Sequence, residues 1–454
     1  MSKVYPLLEK KGLVTAEQVE TSFRQWTSQQ AIGLRDELLD ALEEDKAAID
    51  SAPIDITAGE FRFFASSSIR GDYGCSLWGC RAAKASNLAR YAALYCDSVI
   101  VPVRLNQHAT AETDDFYFKE ALAGSILCLQ EFRPASEAGI LNLVPDTLHF
   151  CSDCARDATE RFTNTEKTAE NFLLRNQEKF SVEYEPADSE MPLPRLQIKG
   201  PEEYIDHGRV IRLYWQEPDW IRSLGVGGAP KSRYRLSPLE VEKSGVVKSI
   251  LSELAGDAAF QQAYSIKYGA KCLTDLPAQA EVLNIFNEDQ RSVQRISSLL
   301  AGITHSVPIL SELPTANALR IRKEEPDAFL RYRAALGRIL MEYTGAERTI
   351  GPSEAKEIYA DVLLPEILRL RLQAKNYRRS KLSATIKKCT FSAMVVTMGF
   401  FGGLPVQVAA ALKAAGATNL LRDLHDAVGE TAKAKSDIKN ESLYFLVRVL
   451  DEAE

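Results

Sequence analysis

Cys151 and Cys154 stand two residues apart, the spacing at which paired thiolates grip zinc, and His149 precedes them by two. In an extended chain His149 and Cys151 share a face, so with Cys154 they supply three of the four ligands a tetrahedral site needs. Cys75 and Cys80, far upstream, are the other source of thiolates. Buried free cysteines at a strand end are the commoner outcome of such spacing, and no metal is assigned. Thioredoxin-like redox chemistry has less support still, because no cation lies between the two sulfurs to lower a thiol pKa.

Anion recognition has two sequence candidates. The loop Gly225-Val-Gly-Gly-Ala-Pro-Lys-Ser232 matches the phosphate-binding pattern G-x-x-x-x-G-K-[ST] except that Pro230 replaces the second glycine. Proline removes a backbone N–H from a loop whose purpose is to aim N–H groups at phosphate, so the stretch reads as a linker. The polar turn Ser66-Ser67-Ser68-Ile69-Arg70 is more suggestive, since it joins a strand to a helical stretch carrying Arg81 and Lys84. Ligands of open α/β sheets bind beyond the carboxyl ends of strands, and helix N-termini favour anions. Ser66, Ser67, Ser68, Arg70, Arg81 and Lys84 are therefore the expected contacts for a nucleotide or oligonucleotide. The competing reading is an ordinary surface turn with exposed Arg and Lys.

No residue is assigned a catalytic role and no cofactor is implied. His108, His149, His207, His305 and His425 form no His-x-x-x-His or His-Glu pair. Glu112-Thr-Asp-Asp115 and Glu202-Glu203 read as solvated faces at helix starts.

The elements that would position these residues follow from periodicity. Residues 1–50 read as a helical leader with Leu34, Leu38, Leu39 and Leu42 on one stripe. Phe61–Ala65 is a strand, Ala82–Tyr95 a helix and Ser98–Val103 a second strand. A helix at 111–133 and a strand at Gly139–Val144 extend the alternation, which favours a sheet flanked by helices. A helix near 155–178 leads to short strands at Phe180–Tyr184, Arg195–Ile198 and Arg209–Tyr214. Beyond the flexible Gly225–Pro230 the chain reads as helical. Ser237-Pro-Leu-Glu240 opens one helix with a capping box, and Glu325-Pro326 opens another that carries Phe329, Leu330, Leu336, Ile339 and Leu340. The expected fold is α-rich mixed α/β: an α/β or α+β part over 1–225, a helical domain over 226–366, and a basic helix, hydrophobic hairpin and terminal helix over 367–454.

With 45% hydrophobic and 26% charged residues, the 454-residue chain has the composition of a globular protein, which excludes disordered and fibrous classes. Its eight cysteines fit a reducing cytoplasm better than a disulfide framework, and no secretory signal follows Met1. The net charge of −7 repels polyanions and anionic membranes globally, so any such contact requires a local basic patch. Arg369, Arg371, Lys375, Arg378, Arg379, Lys381, Lys387 and Lys388 form that patch, with no acid between 367 and 388.

Directly after it, Cys389–Leu412 holds no charged residue. The run from Phe391 through Met394, Phe400, Phe401 and Leu404 to Leu412 is broken by Gly402, Gly403 and Pro405. Two readings compete. As one kinked span or a re-entrant hairpin it is long enough to enter a bilayer, with the basic run held at anionic headgroups on the cytoplasmic side. As two short arms it is a core hairpin, although the arms offer only Ser, Thr and Gln as a polar face. The final run Leu443–Leu450 is expected to pack back onto the protein.

Asn87–Tyr95 leading to Val99–Pro102, Ala138–Pro145 followed by the C-x-x-C, the low-charge hairpin and Leu443–Leu446 together resemble bacterial proteins of phage-defence gene clusters. The order of features is similar to membrane effectors of the Hailong type. That resemblance implies a nucleotide or nucleic-acid signal sensed by the soluble part and depolarisation of the membrane by the C-terminal segment; the expected protein is a homo-oligomer that associates with the inner membrane. The alternative is a soluble helical scaffold that binds nucleic acid or a protein partner through 367–388.

Overall fold

The computed structural model describes residues 2–51, 62–72, 75, 77–105, 115–146, 152–189, 192–205, 208–214, 217–225, 228–286, 314–334 and 445. The chain divides into two compact units, one of Met1–Leu88 with Asp97–Gln294 and the other of Ala89–Cys96 with Arg295–Glu454. The basic run and the hydrophobic segment lie outside the described residues.

The first unit opens with α1 (Val4–Lys10), α2 (Ala16–Gln25) and α3 (Ser28–Ser51). Thr15 caps α2 through a capping box with Gln18, which satisfies two N–H groups that a helix start leaves open. Four strands then build a parallel sheet in the order β3-β2-β1-β8: β1 (Arg62–Ala65), β2 (Ser98–Val103), β3 (Leu141–Pro145) and β8 (Lys271–Leu273). The register pairs Phe64 with Ile100 and with Cys272. Helix α4 (Trp78–Tyr95) connects β1 to β2, and α5 (Asp115–Glu137) connects β2 to β3. Helix α5 runs past the expected end at 133 and through Pro134, whose missing N–H leaves the carbonyl four residues earlier without its helical donor. Residues of β1 and β2 are buried on alternating sides, the mark of parallel strands covered on both faces.

Between β3 and β8 the chain inserts a second sheet. Helix α6 (Ser152–Leu174) leads to β4 (Ser181–Glu185), β5 (Arg195–Lys199), β6 (Arg209–Leu213) and β7 (Tyr234–Arg235), antiparallel in the order β6-β5-β4-β7. A four-residue helix, α7 (Asp219–Arg222), lies between β6 and β7. Val182, Tyr184, Leu196 and Ile198 alternate onto one face and join a core with Leu173, Val247, Ile250, Leu251 and Leu254. Helix α8 (Pro238–Ser244) carries the capping box expected at Ser237 and Glu240, and it ends on Gly245 at φ +63°.

Helix α9 (Val246–Tyr268) serves both sheets. Its amino half joins the core of the antiparallel sheet, and its carboxyl half sets Tyr264 and Tyr268 against Phe64, Ile100 and Val144 of the parallel one. A helix apolar around most of its circumference is buried, as this one is. It then delivers the chain to β8, and α10 (Pro277–Phe286) follows.

Among the described residues the architecture is mixed α/β and α-rich, with one parallel and one antiparallel sheet. The boundary expected near 225 does not divide the units, because α9 and β8 beyond it complete the first. A three-residue strand leaves no periodicity to read, and the glycines taken as a linker close an isolated bridge between Gly225 and Gly228.

In the second unit, the described part comprises residues 89–95 of α4 with Cys96 after it, α11 (Thr315–Glu324), helical residues 326–334, and Phe445. Arg322 donates to the carbonyls of Cys96 at 2.7 Å and Ala93 at 3.4 Å, satisfying the buried carboxyl end of α4 with a cation. Burial holds its guanidinium below the usual arginine value. Phe445 is fully buried against Phe329 and Tyr332, so the terminal run packs back at this residue.

Candidate functional site

In the parallel sheet β1 and β2 step one way and β8 lies on the other side of β1, so the strand order reverses between β1 and β8. The crevice beyond the carboxyl ends of such a pair is where open α/β sheets take ligands. The turn after β1 and the loop after β8 meet at this point.

Ser66 and Ser68 are buried here with their hydroxyls 2.8 Å apart, and Ser68 reaches Thr274 at 3.4 Å. Thr274 donates to Gln279 at 2.5 Å, and Gln279 donates in turn to Asp257 at 2.5 Å. The same carboxylate accepts from Gln261 at 2.9 Å and from the backbone N–H of Ser67 at 3.2 Å. One chain of hydrogen bonds therefore links the β1 turn, the β8 loop, α9 and α10. Asp275, one residue further, has its side chain 10% exposed and its Oδ2 lies 3.8 Å from Lys84 Nζ. Its Oδ1 is buried and accepts no hydrogen bond.

Arg70 of the turn and Arg81 of α4 are arranged differently. Asp72 accepts from Arg70 Nε at 2.5 Å and from Arg81 Nη2 at 3.1 Å, with the three side chains only 6–11% exposed. Arg81 also donates to the carbonyls of Gly71 and Ala121 and to Ser125, tying the turn to α4 and α5. Two glycines make this approach feasible. A Cβ on Gly71, already at φ +88°, would meet the Arg81 carbonyl at 2.7 Å, and one on Gly124 would meet Arg81 Nη1 at 2.5 Å.

All six residues expected from the sequence thus lie about one loop. Ser66, Ser68 and Lys84 belong to the polar crevice together with Ser67, whereas Arg70 and Arg81 are internal braces held by Asp72. The turn is not the exposed one of the competing reading. Asp257, Gln261, Thr274, Asp275 and Gln279 were missed. Asp257 and Gln261, at i and i+4 in an apolar helix, were the available signal.

Thiol chemistry has little foothold nearby. Burial pushes the Cys128 and Cys272 thiols up to about 12, which keeps them protonated, and the exposed Cys75 and Cys80 flank the start of α4. The side chains of His149, Cys151 and Cys154 lie outside the described residues. Among the described residues no group of three His, Cys, Asp or Glu could hold a metal ion, and no helix is long and apolar enough to cross a membrane.

Comparison with known proteins gives no counterpart: no family model, curated protein or solved structure matches the chain.

Proposed function

We propose that the protein is a ligand-sensing effector of the anti-phage type. In this reading the first unit takes a nucleotide or oligonucleotide at the carboxyl ends of β1 and β8, and the segment 391–412 of the homo-oligomeric protein perturbs the inner membrane. The observation that carries the sensing half is the buried polar cluster at the strand-order reversal, with Asp275 Oδ1 left without a donor. A buried carboxylate oxygen without a hydrogen bond is costly, and a ribose hydroxyl or an exocyclic amine would satisfy it. Lys84, at 3.8 Å from the same carboxylate, provides the charge nearest to a phosphate placed there. The output half rests on the charge-free run 389–412 behind eight basic residues.

The test uses the full chain and a panel of mono-, di- and cyclic oligonucleotides, read by thermal shift and then by dye release from anionic liposomes. A binding nucleotide should trigger release. Asp275→Ala should abolish both responses, and Phe400→Asp/Phe401→Asp should abolish release while leaving binding intact. A panel in which no nucleotide raises the melting temperature overturns the sensing half; binding without release from any vesicle overturns the membrane half.

A further inference from the structure

The opposite end of the parallel sheet holds a cavity of about 530 Å³, large enough for a drug-sized ligand. It opens at the amino ends of β1, β2 and β3, remote from the crevice just described, and its walls come from α3, α5, α9 and the three strands. Ile49, Ile100 and Leu143 line it with apolar surface; Ser98, Ser136 and Asn142 supply polar groups.

We infer that this cavity binds a neutral purine nucleoside. The first argument is Asn142. Asparagine is depleted from strands, yet it stands in β3 between buried Leu141 and Leu143 and opens onto the cavity. Its Nδ2 donates to Ser98 at 2.8 Å, which fixes the carboxamide plane. The second N–H and the Oδ1 then present a donor beside an acceptor, the edge that pairs with N6 and N7 of adenine. The hydroxyls of Ser98 and Ser136 have the chemistry to meet ribose hydroxyls.

The second argument is charge. Asp45 is already engaged by Ser2 Oγ at 2.5 Å and by the N–H of Lys3 at 2.8 Å. At the mouth, Lys267 and Asp50 face each other at 3.6 Å, and Lys267 also lies 5.0 Å above the Tyr268 ring. With Arg62, which also lines the cavity, the lining carries two acids and two bases, a balance that favours an uncharged ligand over a nucleoside polyphosphate. A third aspect is access: α3 supplies Ala48, Ile49 and Asp50 to the cavity, so a ligand there is held between the leader helix and the sheet.

Titration calorimetry of the full chain with adenosine, guanosine, AMP and inorganic phosphate tests this. Adenosine should bind at one site per chain, with AMP at least about tenfold weaker. Asn142→Leu, which keeps the volume and removes the amide edge, should weaken adenosine about tenfold or more. Ala48→Trp, at the exposed rim of the cavity, blocks entry from the helical side and should abolish binding. Both variants should keep the wild-type circular dichroism and the response to any nucleotide that depends on Asp275, which separates this site from the crevice. Three results would overturn the inference: no adenosine binding to the wild type, binding untouched by both variants, or binding of phosphate equal to that of adenosine.

Discussion

The two ends of one parallel sheet handle polarity in opposite ways. At the carboxyl end, side chains from four elements are hydrogen-bonded to one another, and Arg70 of the β1 turn and Arg81 of α4 are held by a single carboxylate, Asp72. At the amino end, the strands begin on a cavity whose polar groups leave space between them. At the first end most ions and hydrogen bonds hold the fold together and leave Asp275 Oδ1 as the one buried carboxylate oxygen of the cluster without a donor, whereas those at the second border a cavity. The difference teaches that polar residues drawn to the same sheet need not share a role: a braced group resists substitution, and a group facing a cavity tolerates it.

Replacing Asp72 tests the braced end most severely. Asp72→Ala leaves Arg70 and Arg81 buried without their anion and should cost about 3–5 kcal/mol in chemical denaturation. A loss under about 1 kcal/mol would mean that the turn is not braced and would erase the contrast. Asp257→Ala removes the acceptor of Ser67, Gln261 and Gln279 and should cost about 1–3 kcal/mol, smaller because these donors are neutral.

Ser237→Ala, remote from both ends, supplies a reference of about 1 kcal/mol for the loss of one helix cap. Its effect should depend on pH. The hydroxyl and N–H of Ser237 hold the Glu240 carboxylate below its ordinary value of 4.5. A depressed carboxylate contributes stability that is present above the unfolded pKa and lost as pH falls through the folded one. The deficit of Ser237→Ala should therefore be full at neutral pH and shrink as pH falls below 4.5, by urea titration at a series of pH values. The smallest effect belongs to the amino end, where Ala48→Trp on an exposed helix position should change stability by no more than about 0.5 kcal/mol.

Much of this architecture was legible in the sequence. The alternation from Arg62 to Pro145 gave its strands and helices because a parallel core needs long apolar runs, and Ser237-Pro238-Leu239-Glu240 specified a helix start through local hydrogen bonds alone. What could not be read was the return of Lys271–Leu273 to the side of β1, since pairing across so long an insertion leaves no local trace. The same return hid the site: Thr274 and Asp275 reach the Ser66 turn only because β8 docks there. The roles of Arg70 and Arg81 were illegible for a related reason. Their partner Asp72 sat in the same turn, but only three-dimensional packing against α5 turns a short acidic residue into a brace for both.

Hydrogen–deuterium exchange of the full chain, with and without the nucleotide that gives the largest thermal shift, tests the central claim most directly. The account predicts added protection over 66–72 and 274–279, with 98–100 and 141–143 unchanged. Protection confined to other segments, with 66–72 and 274–279 exchanging as in the free protein, would contradict it.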